Sequence, residues 1–131
     1  MLIFNHKDIE SKDFIIVNSI EDIDKTLNIS IPLIKEFDTN IELVKYCKKC
    51  NIEYAIEAKS IKDAIFANVL NCSFIVAKLE LAKILQTIAT EYLFDSKILT
   101  PVNSDKELEE VALSFIDGVI YNFNTKDYND N

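Results

Sequence analysis

Glycine is almost missing from this chain: Gly118 is the only one in 131 residues, against an average near 7% in soluble proteins. Walker A loops, GxGxxG turns and nucleophile elbows all need glycine where backbone must approach phosphate or turn sharply, so none of them is present. Arginine is absent, and all 14 basic residues are lysine. Arginine is the planar, bidentate reader of carboxylate, phosphate and guanine. Any anion site here would therefore rely on lysine or on backbone N–H groups. Cysteine is scarce and odd in number, three in all, which fits a reducing compartment better than a disulfide framework. No apolar run approaches the roughly 18–20 residues of a membrane helix. Residues 1–6 lack the basic-then-apolar layout of a secretory leader, so the expected compartment is the cytoplasm. The net charge of −8 opposes binding to nucleic acid and to anionic membrane. No cofactor is expected.

What is present is an ordinary globular composition, 49% hydrophobic and 27% charged, in a chain of single-domain length. Short apolar runs alternate with amphipathic stretches. Residues 13–18, 32–37, 52–58, 73–77, 97–102 and 119–121 read as strands, and Leu2, Ile3 and Phe4 as a further edge strand. Pro32 is tolerable at the start of its strand, and Pro101 suggests an edge or a terminating bulge. Residues 20–27, 41–50, 61–70 and 81–93 read as helices, the last with Leu81, Ile84, Leu85, Ile88 and Tyr92 at helical spacing. Leu108, Val111, Ala112 and Phe115 mark a fifth helix. The third is apolar almost all round (Ala64, Ile65, Phe66, Ala67, Val69, Leu70), as a dimer face or a buried helix would be. Residues 1–121 form one domain on this reading, and 122–131 a polar tail expected to fray.

Strand–helix alternation at about 20–24 residues per unit implies an α/β fold with a mostly parallel sheet of 5–6 strands. The favoured form is an open, doubly wound, Rossmann- or flavodoxin-like sheet with helices on both faces. The alternative is a half-TIM-barrel-like βα array, since a full eight-unit barrel needs roughly 200 residues. Four helices open on a Ser/Thr-x-x-Asp/Glu box: Ser19 with Asp22, Thr39 with Glu42, Ser60 with Asp63, and Ser104 with Glu107. In such a box the hydroxyl accepts from the third helical amide and the acid reaches back. The fourth helix, entered through Ala77, Lys78, Leu79 and Glu80, has no such cap, and Lys78 there opposes the helix dipole.

Ligands of open parallel sheets bind beyond the carboxyl ends of the strands, where the strand order reverses. That criterion selects Asn18, Ser19, Lys35, Glu36, Asp38, Glu57, Lys59, Lys78, Glu80, Asn103 and Ser104. A small anionic ligand would be held by Lys59 and Lys78, with Glu57 or Glu36 as acid/base. A solvated, charged loop rim explains the same residues.

Cys47 and Cys50 form a C-x-x-C that closes a helix, where the dipole raises rather than lowers a thiol's pKa. Zinc would need Cys47, Cys50, Cys72 and His6 together; buried structural thiols are expected instead. His6, the single histidine, has no acid or hydroxyl partner nearby in sequence and reads as an exposed or edge-packed imidazole.

The strand–helix order is similar to that of two-component receiver domains. The positions where that family carries its acidic pair, phosphoacceptor, hydroxyl and lysine hold Asn18-Ser19, Glu57-Ala58, Ala77-Lys78 and Val102-Asn103, so no phosphorelay is implied. The stretch from Thr100 to Ser104, with Ile116 to Ile120, is similar to the last βα unit of glycerophosphodiester phosphodiesterases, as is Glu57-Ala58-Lys59 to their Glu-x-Lys strand. It covers under a third of the chain and lacks that family's histidine pair and acidic metal ligands. Shared βα grammar accounts for it. The function expected from these readings is a non-catalytic module working through a protein partner or a homodimer. The alternative is an anionic-metabolite binder or enzyme using the Lys/Glu rim.

Overall fold

The computed structural model describes residues 1–123. The tail expected at 122–131 therefore falls outside the described residues from position 124 onward. Seven strands and five helices follow the order β1 (Leu2–Phe4), β2 (Asp13–Ile16), α1 (Ile20–Thr26), β3 (Ser30–Ile34), α2 (Ile41–Lys49), β4 (Ala55–Glu57), α3 (Ile61–Val69), β5 (Phe74–Val76), α4 (Leu79–Glu91), β6 (Lys97–Val102), α5 (Asp105–Leu113) and β7 (Gly118–Tyr121). All pairings are parallel, in an α/β sheet of order β1-β7-β6-β5-β4-β3-β2. The opening residues do form the extra edge strand.

From β2 to β7 each strand lies beside its predecessor, always displaced in the same direction. Right-handed crossovers then place every helix on one face of the sheet. Packing agrees. The buried apolar helical side chains, Ile23, Leu43, Val44, Cys47, Ala64, Ala67, Ala82, Leu85, Ala89 and Val111, belong to one cluster. The second cluster is built from strand residues: Phe4, Phe14, Ile31, Leu33, Ala55, Val76, Leu99 and Ile120, with Phe123 against it. Of the two arrangements left open by the sequence, this strand order corresponds to the half-barrel array.

The sheet curls, and chain reach requires it. In a flat sheet, six inter-strand spacings would set β1 about 29 Å from β2. The helix-free link of residues 5–12 would need to be fully extended to cover that span. Instead Phe4 of β1, Phe14 of β2 and Phe74 of β5 meet edge-on inside the curl, with centroids 4.9, 5.2 and 5.8 Å apart.

Both prolines occupy interior strands rather than edges. Leu33 carbonyl accepts from Val17, just past β2, so the alternation turns Pro32 toward β4, whose pairing begins only opposite Leu33. Leu99 carbonyl accepts from Ala77, so Pro101 faces the β5 side, beyond Val76 where β5 has ended. Neither missing N–H interrupts a ladder. Gly118 opens β7 without positive φ. Its role is spatial: a Cβ there would lie 2.6 Å from Leu2 carbonyl oxygen and 2.8 Å from Leu99 Cδ2.

Three capping boxes form as expected. Ser19, Ser60 and Ser104 hydroxyls accept from the amides of Asp22, Asp63 and Glu107. The acids reach one residue further back than in the usual box, accepting from the amides of Asn18, Lys59 and Asn103. The Thr39 box does not form. Asn40 takes the N-cap position without a side-chain cap bond, because the Thr39 hydroxyl and the Asn40 side-chain amide both donate to Glu36 carbonyl instead. Lys78 is the uncapped N-cap of α4.

The buried face of α4 is shifted from the expected stripe. Ala82, Leu85, Gln86 and Ala89 face inward, while Ile84 and Tyr92 are exposed. Small alanines let the helix sit close to the sheet, and the bulkier side chains move to its flanks.

Candidate functional site

The carboxyl ends of the strands carry the rim that the sequence pointed to. From β2 to β7 the strand order does not reverse, so no switch point opens a crevice among these six strands. Lys35 and Glu57 follow inward-facing Leu33 and Ala55 by two residues, and their half-buried side chains pair at 3.6 Å. Lys59 and Glu36, both well exposed, pair at 2.9 Å. That hydrogen bond to Glu36 raises the Lys59 pKa. Lys62 and Asp38 repeat the arrangement at 2.9 Å. Glu80 lies 4.0 Å from Lys83 on its own helix. Asn18 and Asn103 donate their backbone amides to the capping acids. Lys78 is exposed and forms no ion pair among the described residues. A ligand anion at Lys59 would have to displace Glu36.

A second cluster at the same edge was not legible in the sequence. His6, just after β1, Tyr121, ending β7, and Asp105, opening α5, converge on one carboxylate oxygen. Tyr121 hydroxyl donates to Asp105 Oδ1 at 2.8 Å, and His6 Nε2 lies 3.2 Å from the same atom. Asp8 amide donates to His6 Nδ1, which fixes the neutral ring as the Nε2–H tautomer. The imidazole also stands edge-on to the Tyr121 ring at 4.6 Å. The Tyr121 hydrogen bond, then that of His6, holds Asp105 below the usual carboxylate range. Burial first, then Asp105, pushes the Tyr121 phenol up to about 12. Asn5, Lys7, Asn103 and Ser104 help line a cavity of about 400 Å³ beside them. With both ring nitrogens engaged, His6 ties the β1–β2 link to α5. Its partner Asp105 is 99 residues away, beyond any local motif.

All three thiols are free. Cys47 and Cys72 are buried as expected, but Cys50, the C-cap of α2, is exposed. Burial, then the neighbouring Cys50, pushes the Cys47 thiol up to about 12, and burial also raises Cys72. Among the described residues, no three His, Cys, Asp or Glu side chains gather to hold a metal. No helix among them is long and apolar enough to cross a membrane.

The opposite end of the sheet is unlike the rim. Just beyond each helix one residue enters the left-handed region: Asn28, Asn51, Asn71, Leu93 and Phe115, with φ of 71°, 55°, 65°, 53° and 57°. Asparagine tolerates this conformation, whereas other side chains lose roughly 1–2 kcal/mol in it. At α4 and α5 the position holds Leu93 and Phe115, each 84% exposed. Tyr92 and Leu113 beside them are 77% and 80% exposed. Tyr92 and Phe115, expected to pack inward, therefore face solvent. Ile65, Phe66 and Val69 of α3 are exposed as well, while its Ala64 and Ala67 are buried.

No protein-family model matches the chain, and no curated protein matches it.

Proposed function

We propose that this chain is a non-catalytic α/β module that acts, in the cytoplasm, through a protein partner or through its own copy. The observation that carries this reading is the contrast between the two ends of the sheet. At the carboxyl end, lysines and acids neutralise one another as Lys35–Glu57, Lys59–Glu36 and Lys62–Asp38. At the amino end, Leu93 and Phe115 hold a strained backbone conformation with their side chains in water. A large apolar surface of this kind marks a site of association. The net charge of −8 supports neither nucleic acid nor anionic membrane as the partner. Native mass spectrometry on the protein purified from its own cells tests the reading. The expected result is a complex with a second polypeptide, identical or different. A bare chain at every concentration would sink it.

The second reading is a small anionic metabolite, bound or turned over at the Lys/Glu rim. It is favoured by Lys78, exposed at the uncapped start of α4. Thermal shift against phosphorylated and carboxylated metabolites separates the two, since a specific ligand stabilises the folded chain by mass action.

A further inference from the structure

We infer that the cavity beside His6, Asp105 and Tyr121 is a binding site for a small zwitterion of the α-amino acid class, its ammonium held by Asp105 and its carboxylate by Lys7. This goes beyond the interaction-module reading and does not depend on it. The cavity lies at the carboxyl ends of three adjacent strands, β1, β7 and β6. Here β1 and β7 are the one pair of neighbours not consecutive in the chain. The chain leaves β1 toward β2 and leaves β6 into α5, and the cavity opens between these two departures, as ligand sites of parallel sheets do. Its volume of about 400 Å³ falls within the roughly 300–1,000 Å³ of small-molecule sites.

One oxygen of the Asp105 carboxylate is committed and the other is free. Tyr121 hydroxyl and His6 Nε2 both meet Oδ1, while Oδ2 accepts no hydrogen bond among the described residues. Capping does not account for this fixing, since Ser104 and Glu107 complete the box of α5 without Asp105. Lys7 lines the same cavity, is exposed, and forms no ion pair among the described residues. By contrast, Lys35, Lys59 and Lys62 each meet an acid within 3.6 Å. The cavity thus holds one negative and one positive group that are not joined to each other, and a ligand carrying both charges joins them. A lone anion would face Asp105, which Tyr121 and His6 keep ionised, and a lone cation would face Lys7. A neutral polyol would satisfy the carboxamides of Asn103 and Asn122 but leave both charges unmatched.

Amide NMR on the full chain tests the inference, with each common α-amino acid titrated in turn, and acetate, methylammonium and glucose as probes of one feature each. The expected result is a saturable shift at Tyr121 and Asn122 with at least one amino acid, and none with the three probes. Asp105→Asn keeps an oxygen for Tyr121 and His6 but removes the charge, and Lys7→Gln removes the opposite charge. Each should weaken binding at least about tenfold. Lys106→Gln, at an exposed lysine of α5 outside the cavity, should leave binding unchanged. All three side chains are exposed, so circular dichroism should show the variants folded, and Lys7→Gln decides the matter if Asp105→Asn does not fold. Acetate or methylammonium binding as tightly as any amino acid would overturn the inference in favour of a singly charged ligand. Saturation by glucose would assign the cavity to polyols and overturn it as well. Equal weakening by Lys106→Gln would reduce the effect to unspecific attraction, and no shift with any amino acid would remove the site. In each of these cases the interaction-module reading stands.

Discussion

Phe4 stands edge-on against Phe14, ring centroids 4.9 Å apart and planes at 62°, although their strands are the two outermost in the sheet. Backbone hydrogen bonds do not pair β1 with β2, so this contact between side chains, with Phe74 as its third member, draws the two edges together. Phe14→Ala should therefore unfold the curl as well as vacate its volume. The expected loss is about 3–5 kcal/mol by urea denaturation, against less than about 1 kcal/mol for Ile15→Ala next to it, whose side chain is exposed. Equal losses at the two positions would show that the interior is not closed by these rings.

Gly118→Ala places a Cβ against Leu2 carbonyl oxygen and Leu99 Cδ2. One neighbour is backbone and cannot rotate away, so β1 must shift off β7. Loss of amide protection at Phe4, with a drop of roughly 1–3 kcal/mol in stability, is the expected outcome of hydrogen exchange and denaturation on this variant. Unchanged protection in β1 would mean that the edge strand relaxes at no penalty.

Thr100 is fully buried, and its hydroxyl has no hydrogen-bond partner among the described residues. A desolvated hydroxyl without a partner is unfavourable by about 1–3 kcal/mol. Thr100→Val replaces it with a methyl group of similar size and should raise the thermal midpoint. A lower midpoint would mean that the hydroxyl is satisfied in solution.

Asp105 carries a pH dependence whose sign follows from its partners. Tyr121 and His6 hold its folded pKa below the ordinary carboxylate value of 3.8. The group therefore stabilises the fold above that value, and the contribution is lost as the pH falls through the lower, folded pKa. In Tyr121→Phe the stronger donor is gone, and carboxyl NMR titration should place Asp105 higher than in the wild type. An unmoved titration would show that the hydroxyl does not reach the carboxylate.

The three thiols should separate in a native disulfide-exchange assay with an aromatic disulfide. Cys50 is exposed, while Cys47 and Cys72 are buried with raised pKa values. One rapid equivalent is expected from the folded chain, and three after denaturation. A second rapid equivalent would show that α2 opens readily.

The short β-branched runs and the serine boxes were legible because their causes are local. A strand buried on both faces must be apolar throughout, and Ser19, Ser60 and Ser104 meet their acids within one turn of helix. Thr39 misled because Glu36 carbonyl, a competitor for the hydroxyl, cannot be seen in a spacing pattern. Tyr92 and Phe115 misled for a related reason. In α4, helical spacing places Tyr92 on a face, but Ala82 and Ala89 decide which face can approach the sheet; α5 ends at Leu113, so Phe115 lies past the helix in the left-handed region, outside its periodicity. At the site, the rim residues were legible as loop charges at strand ends. Their pairing into Lys35–Glu57 and Lys59–Glu36 was not, and neither was the meeting of His6 with Asp105 and Tyr121.

By itself the sequence determined an alternating α/β chain, its helix starts, its lack of phosphate loops and its acidic charge. Each follows from composition or from interactions within a few residues. Only the tertiary structure decided that the strands run in unbroken order from β2 to β7 with β1 beside β7, that the sheet curls until Phe4 meets Phe14, and that the lone glycine is a point of close contact. These depend on which distant strands lie side by side. The same holds for the amino end of the sheet, where α4 and α5 deliver the chain to adjacent strands only because β6 and β7 pair.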